Sequence, residues 1–194
     1  MYKDMVSILK EGESGNIALE KFEITKWDVR AMIDEIPIGK YIRLYDKKTN
    51  EVIMSDTPYE KDTNFDFCIN AHGNILIGGL GIGMILLAIQ DNKEVDSILV
   101  LEKSKDVINL IAPQLPLNEK VKIIQADVFE WNPPENSLYN CIYMDIWNYI
   151  SWDVFNRDMM FLHEKYESLL DREHDDNAFM DCWGEWEIKQ RYEM

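Results

Sequence analysis

From about residue 73 onward, short apolar runs alternate with stretches whose apolar positions recur at helical spacing. Residues 75–77 (ILI), 97–101 (SILVL), 121–124 (VKII) and 141–144 (CIYM) are rich in apolar and β-branched side chains and end at glycine or polar residues, which predicts four buried strands. Residues 84–90 and 105–111 predict helices between them, the second halted at Pro113. A long amphipathic helix is predicted over 152–170, where Phe155, Met159, Leu162, Tyr166 and Leu169 share one face. After the polar, solvated loop DREHDDN, residues 178–180 with Cys182 and Trp183 predict a fifth strand, and residues 184–194 a terminal helix.

Alternating strands and helices call for an α/β fold with a doubly wound, mostly parallel sheet. Right-handed crossovers place the carboxyl ends of its strands on one edge, where ligands of such sheets bind. The first part of the chain reads differently. It predicts a helix within 1–15, a strand over 17–25, a short helix over 26–36 stopped by Pro37, and a β-hairpin from 39–45 and 51–54 around DKKTN. Pro58 marks a helix start, with a helix over 59–72 leading into the first parallel strand. This divides the chain into an N-terminal helix and β-hairpin extension, 1–58, and a Rossmann-like domain, 59–194.

The chemistry centres on NILIGGLGIG, residues 74–83. Glycines after a buried strand and before a helix allow positive φ and a close ligand approach to the backbone. A dinucleotide fingerprint would need a small residue at Met84, and the phosphate loop would need a Lys-Ser/Thr pair; neither is present. What remains is G-x-G-x-G at Gly79, Gly81 and Gly83, which also suits a tight turn without a ligand. Three acids then stop three successive strands: Glu102, Asp127 and Asp145. Glu102 follows Gly83 by 19 residues, a spacing that suits a carboxylate bonding ribose hydroxyls. Carboxylates would repel a pyrophosphate. They favour ribose hydroxyls, an exocyclic amine and a cationic sulfonium or ammonium group, which points to S-adenosylmethionine or a close relative.

Net charge narrows the partners. At −16 over 194 residues, the chain disfavours nucleic acid and leaves a small-molecule or protein acceptor. Cys68, Cys141 and Cys182 are odd in number, scattered and flanked by apolar residues, so buried free thiols in a reducing compartment are expected. No signal peptide and no membrane-spanning run is recognised, and a cytoplasmic protein is the expectation. His72, His163 and His174 lie on unrelated elements, and no metal site is expected.

These motifs resemble the class I S-adenosylmethionine-dependent methyltransferases, most nearly their spermidine-synthase-like branch and compact phage-type members. The resemblance covers roughly residues 55–183: ILIGGLGIG matches motif I, LVLE the strand ending in the ribose-binding acid, IIQADVFEW the adenine-contacting motif and CIYMDIW motif IV. It implies that Gly79, Gly81 and Gly83 make room for the methionine and ribose portions. Glu102 would hold the ribose, Asp127 the adenine amine, and Val128 a ring nitrogen through its N–H. Asp145 would sit near the sulfonium and the acceptor, with Trp147 and Asn148 beside it.

Two departures stand out. Ile77 replaces the acid many methyltransferases carry before motif I, and Asn148 replaces the second acid of the aminopropyltransferase D-x-x-D. Methyl transfer is therefore the expected activity. Aminopropyl transfer, or a non-catalytic binding protein on the same fold, are the alternatives. The family's last two strands have no counterpart, so the fifth strand is expected as an open edge covered by the N-terminal hairpin or by a second subunit of a homo-oligomer.

Overall fold

The computed structural model describes residues 1–29 and 36–192; the helix expected over 26–36 falls largely outside them. Five strands form a parallel sheet: β5 (Gly73–Gly78), β6 (Val95–Glu102), β7 (Val121–Gln125), β8 (Cys141–Met144) and β9 (Phe179–Cys182). Their order is β7-β6-β5-β8-β9. The chain runs outward from β5 through α4 (Met84–Ile89) and α5 (Lys105–Ile111), then returns to β8 on the other side of β5. That reversal opens a crevice at the carboxyl ends of β5 and β8.

Both faces of this sheet are covered, which is why its strands read as continuous apolar runs. Ile75 and Ile77 face one buried cluster and Leu76 the other, as the two-residue period of a strand requires. The first cluster also takes in Met5, Leu19, Ile42, Leu44 and Met54, so it runs unbroken into the N-terminal segment. The second is built on α6 (Trp152–Val154), a π turn over Phe155–Met159 and α7 (Met160–Tyr166). The predicted single helix over 152–170 is thus interrupted, and it closes in a 3-10 turn, Glu167–Leu169.

The N-terminal segment forms its own antiparallel sheet, β1 (Gly12–Ser14), β2 (Ile17–Ile24), β3 (Gly39–Asp46) and β4 (Val52–Ser55), in that order. Only α1 (Met5–Ile8) of the helix expected over 1–15 forms, with Asp4 accepting the Ser7 N–H at its start. The chain then extends into β1, because Ser14 donates its hydroxyl to Asp106 on α5 at 3.0 Å and Gly12 packs against Leu110. Among the described residues this sheet pairs with none of the parallel strands. The hairpin therefore does not cover β9. Its apolar face is drawn instead to α5 and the glycine turn.

The helix expected over 59–72 is two short ones, α2 (Pro58–Thr63) and α3 (Phe65–Asn70). Asn64 breaks it. Its side-chain amide donates back to the Glu60 carbonyl at 2.8 Å, and its oxygen accepts the buried Tyr143 hydroxyl at 2.8 Å. A last helix, α8 (Glu185–Arg191), follows β9. Among the described residues no helix is long and apolar enough to cross a membrane, and all three cysteines are buried and free.

Candidate active site

The turn after β5 has Gly79, Gly81 and Gly83 at φ of +97°, +50° and +75°, conformations that side chains strain to adopt. Each faces something different. A Cβ on Gly79 would meet the Asp145 carbonyl, one on Gly81 the Met54 sulfur, and one on Gly83 the Leu115 side chain. Gly79 and Gly81 line a cleft of about 490 Å³; Gly83 lies behind it, where it lets α4 begin against Leu115.

The cleft collects the predicted acids at the ends of β6, β7 and β8. Glu102 is buried, and its carboxylate accepts the Leu80 N–H at 2.8 Å and the Ser104 N–H at 2.7 Å. Burial raises its pKa, against the pull of these amides. Each carboxylate oxygen keeps a lone-pair direction for a further donor.

Asp127 accepts the Phe129 N–H at 3.0 Å and pairs with Lys103 at 2.8 Å. Burial works to raise its pKa, but the Lys103 ammonium and the Phe129 amide hold it below the usual carboxylate value. The Val128 carbonyl accepts the Tyr166 hydroxyl at 2.6 Å and Lys165 at 3.0 Å. Its N–H meets no acceptor among the described residues.

At the end of β8, Asp145 donates its amide to Gly78 at 2.8 Å, while its half-buried carboxyl lines the cleft and meets no hydrogen-bond donor among the described residues. Burial first, then the charge of Glu60, push that carboxyl well above the usual range. Trp147 and Asn148 also line the cleft, and the Trp147 indole donates to Asp158 at 3.2 Å.

Several lining residues were not singled out from sequence: Met54 and its neighbours on β4, Glu60 on α2, Lys103 and Trp183. Glu60 is pushed up to about 7 by burial. Ser55, Asp56 and Thr57 lead into α2, with Thr57 at its N-cap position and making no side-chain cap hydrogen bond. Asp56 accepts the Ile42 N–H at 2.8 Å and the Ser55 and Thr57 hydroxyls meet at 3.1 Å, which ties β4 to β3 and sets α2 beside the cleft. Lys103 is the one basic side chain lining the cleft among the described residues.

The histidines are partnered as well as scattered: His72 lies 2.8 Å from Asp175 and His163 lies 2.8 Å from Glu185. His163, Cys182 and Glu185 place donor atoms within 4.8 Å of one another, close enough for a metal ion. Glu185 is already paired with Lys189 at 2.6 Å on its other oxygen.

No protein-family profile and no curated protein matches the chain. Solved structures do. The CcbJ methyltransferase from Streptomyces caelestis is 12% identical over 63% of this chain and 47% of its own, with a TM-score of 0.46. Spermidine synthase from Thermotoga maritima is 15% identical over 71% of this chain and 47% of its own, TM-score 0.46. A S-adenosylmethionine dependent methyltransferase from Mesorhizobium loti is 14% identical over 56% of this chain and 49% of its own, TM-score 0.42. The chain thus spans just under half the length of each.

Proposed function

We propose that the chain binds S-adenosylmethionine in this cleft and transfers its methyl group to a small-molecule or protein acceptor. The observation that carries this reading is the convergence of Glu102, Asp127 and Asp145 around one glycine turn, with a single lysine among them. A site of that charge suits a neutral nucleoside joined to a cationic centre. It does not suit a pyrophosphate.

The residues fit the parts of that molecule. Glu102, anchored by two backbone amides, has lone pairs left for the two ribose hydroxyls. The unpaired Val128 N–H suits a ring nitrogen of adenine, and Asp127 suits its exocyclic amine. Asp127 must first yield its partner. Lys103 is 77% exposed at its side chain, so the pair is screened and holds weakly. When bound, the group supplies a methyl already activated by its sulfonium. The chain's contribution is then positional: Gly79 lets the turn approach the Asp145 backbone, and Met54 fills the space over Gly81. Holding donor and acceptor in a near-attack arrangement accounts for most of the rate. Asp145 lies where it can orient the acceptor or take its proton.

Calorimetric titration with S-adenosylmethionine, S-adenosylhomocysteine and decarboxylated S-adenosylmethionine tests this. Micromolar binding of the first two, lost in Glu102→Ala, supports the reading. A preference for the decarboxylated compound moves it to aminopropyl transfer. No binding of any of the three leaves a non-catalytic protein on this fold.

A further inference from the structure

We infer that His163, Cys182 and Glu185 bind a divalent transition-metal ion of the zinc type, which clamps the end of β9 to α7 and to the start of α8. The inference goes beyond the donor site proposed above and needs nothing from it.

The three ligands come from three elements. His163 lies on α7, Cys182 ends β9 and Glu185 opens α8. Cys182 and Glu185 are brought together by Gly184, whose φ of +72° turns the chain between them. Two donors three residues apart on a tight turn, with a third from a helix elsewhere, is a common plan of zinc sites. The histidines' scatter along the chain hides it, since 19 positions separate His163 from Cys182. Sequence reasoning expected no metal site; the fold assembles the donors for one.

The distances fit a single ion. His163 Nε2 stands 2.8 Å from Glu185 Oε2 and 4.0 Å from Cys182 Sγ, and the three donor atoms lie within 4.8 Å of one another. Around a tetrahedral zinc with bonds of about 2.0–2.3 Å, neighbouring donors stand about 3.3–3.6 Å apart. The observed separations bracket that range, and shifts of roughly half an ångström bring the donors onto one ion.

The donor set selects the metal. Thiolate and imidazole suit zinc-like ions, whereas calcium and magnesium take oxygen ligands. The thiolate and carboxylate together balance a 2+ charge in a buried place. The flanking charges balance as well: Lys189 donates to Glu185 Oε1 at 2.6 Å, and Asp181 accepts the Cys182 N–H at 2.9 Å. Lys189 does not block the site. It fixes Oε1 and leaves Oε2 turned toward His163, the kind of support that orients a ligating carboxylate.

The buried thiol is the group that lacks a use. Among the described residues Cys182 Sγ meets only the His163 ring, at 4.0 Å, too far to gain much from it. On metal binding the S–H bond breaks, its electrons form the sulfur–metal bond and the proton leaves to solvent. Burial alone raises the thiol's pKa, and the charge of the ion reverses that. His163 coordinates through the Nε2 lone pair and keeps its proton on Nδ1. Trp183, between two of the ligands, lines the cleft and donates its indole N–H to Thr63 at 3.0 Å. An ion on either side of it holds that wall in place.

The test strips the whole chain with a chelator and titrates it with Co²⁺ and then Zn²⁺, beside Cys182→Ser and His163→Gln. One cobalt per chain is expected, with thiolate-to-cobalt charge-transfer absorption and the visible bands of a tetrahedral site, both displaced by zinc. Cys182→Ser should lose the charge-transfer band. Affinity falls about 10–100-fold when even a ligand's supporting partner is removed, so His163→Gln should weaken zinc binding at least about tenfold. Zinc should raise the Tm of the parent and leave that of Cys182→Ser unchanged. Circular dichroism of the metal-free proteins separates loss of a ligand from loss of the fold, and the parent's own spectrum decides the matter where a variant does not fold. A parent that takes up no cobalt, cobalt uptake without a charge-transfer band, or a band that survives in Cys182→Ser overturns the inference. None of these results touches the donor site.

Discussion

The Leu80 amide donates to the Glu102 carboxylate at 2.8 Å, so the glycine turn after β5 is fastened to the end of β6 by the side chain that faces the cleft. The other oxygen of Glu102 holds Ser104, whose own hydroxyl accepts the Val107 N–H at the start of α5. One carboxylate thus sets the turn, the strand end and the helix start together. Binding and local stability are coupled through it.

Replacing Glu102 by alanine strands two backbone N–H groups in a buried place, which costs about 1–3 kcal/mol each where water does not reach them. A lowered urea midpoint and at least a tenfold weaker S-adenosylhomocysteine affinity are expected together. A variant with weakened affinity and unchanged stability would mean that the turn is held by other contacts.

Gly79 and Gly81 differ in what stands opposite them. Alanine at Gly79 meets the Asp145 backbone carbonyl, which cannot turn aside, and φ there is +97°. Gly79→Ala is expected to cost about 2 kcal/mol or more and to disturb the end of β8. Gly81→Ala meets the flexible Met54 side chain, so its cost should be smaller, and trimming Met54 should reduce it further. Denaturant midpoints of Gly79→Ala, Gly81→Ala and Gly81→Ala/Met54→Ala check the order.

Lys103 is largely exposed where it pairs with the half-buried Asp127, and a pair screened in that way is worth about 0–1 kcal/mol. Lys103→Ala should therefore leave thermal stability nearly unchanged. It should strengthen S-adenosylhomocysteine binding modestly by freeing Asp127, whereas Asp127→Ala should weaken it. A lysine that contacts the ligand would give the opposite sign in the first variant.

His72 and Asp175 pin the acidic loop before β9 to the end of α3 at 2.8 Å. Burial acts to lower the His72 pKa, but the Asn70 carbonyl and Asp175 outweigh it and raise the value. Asp175 is lowered by the Asn140 amide first, then by Asn177 and His72. A raised histidine stabilises the fold fully below its unfolded value, about 6.5, and that contribution fades as pH rises through the folded value. The lowered Asp175 contributes above its unfolded value, about 3.9, and fades as pH falls through the folded one. The stability difference between the parent and His72→Ala should be largest near pH 5–6 and shrink as pH climbs. A difference that is flat across that range would place the bond in the neutral tautomer.

The loop DREHDDN also shows where sequence reading stops. Its polarity is correctly that of a surface segment, yet Asp175 is held by Asn140 and His72, far away along the chain. Strands β5 to β9 were legible because each is a local apolar run, and a strand buried on both faces needs little else. The acids at their ends were legible for the same reason: the parallel topology sends every carboxyl end to one edge. Glu102, Asp127 and Asp145 line one cleft because of it. Gly83 reads the same as Gly79 and Gly81 in sequence, and only packing against Leu115 separates it from them.

What the sequence determined by itself, then, is the periodic part: the parallel sheet, its glycine turn and the three strand-end acids, all governed by contacts near in the chain or by topology. The tertiary structure alone decided where the N-terminal sheet settles, that Met54 lies over Gly81, and that Glu60 lines the same cleft as Asp145. These placements bring together residues 27 and 85 positions apart. They follow from which apolar faces bury one another, and no local pattern encodes that choice.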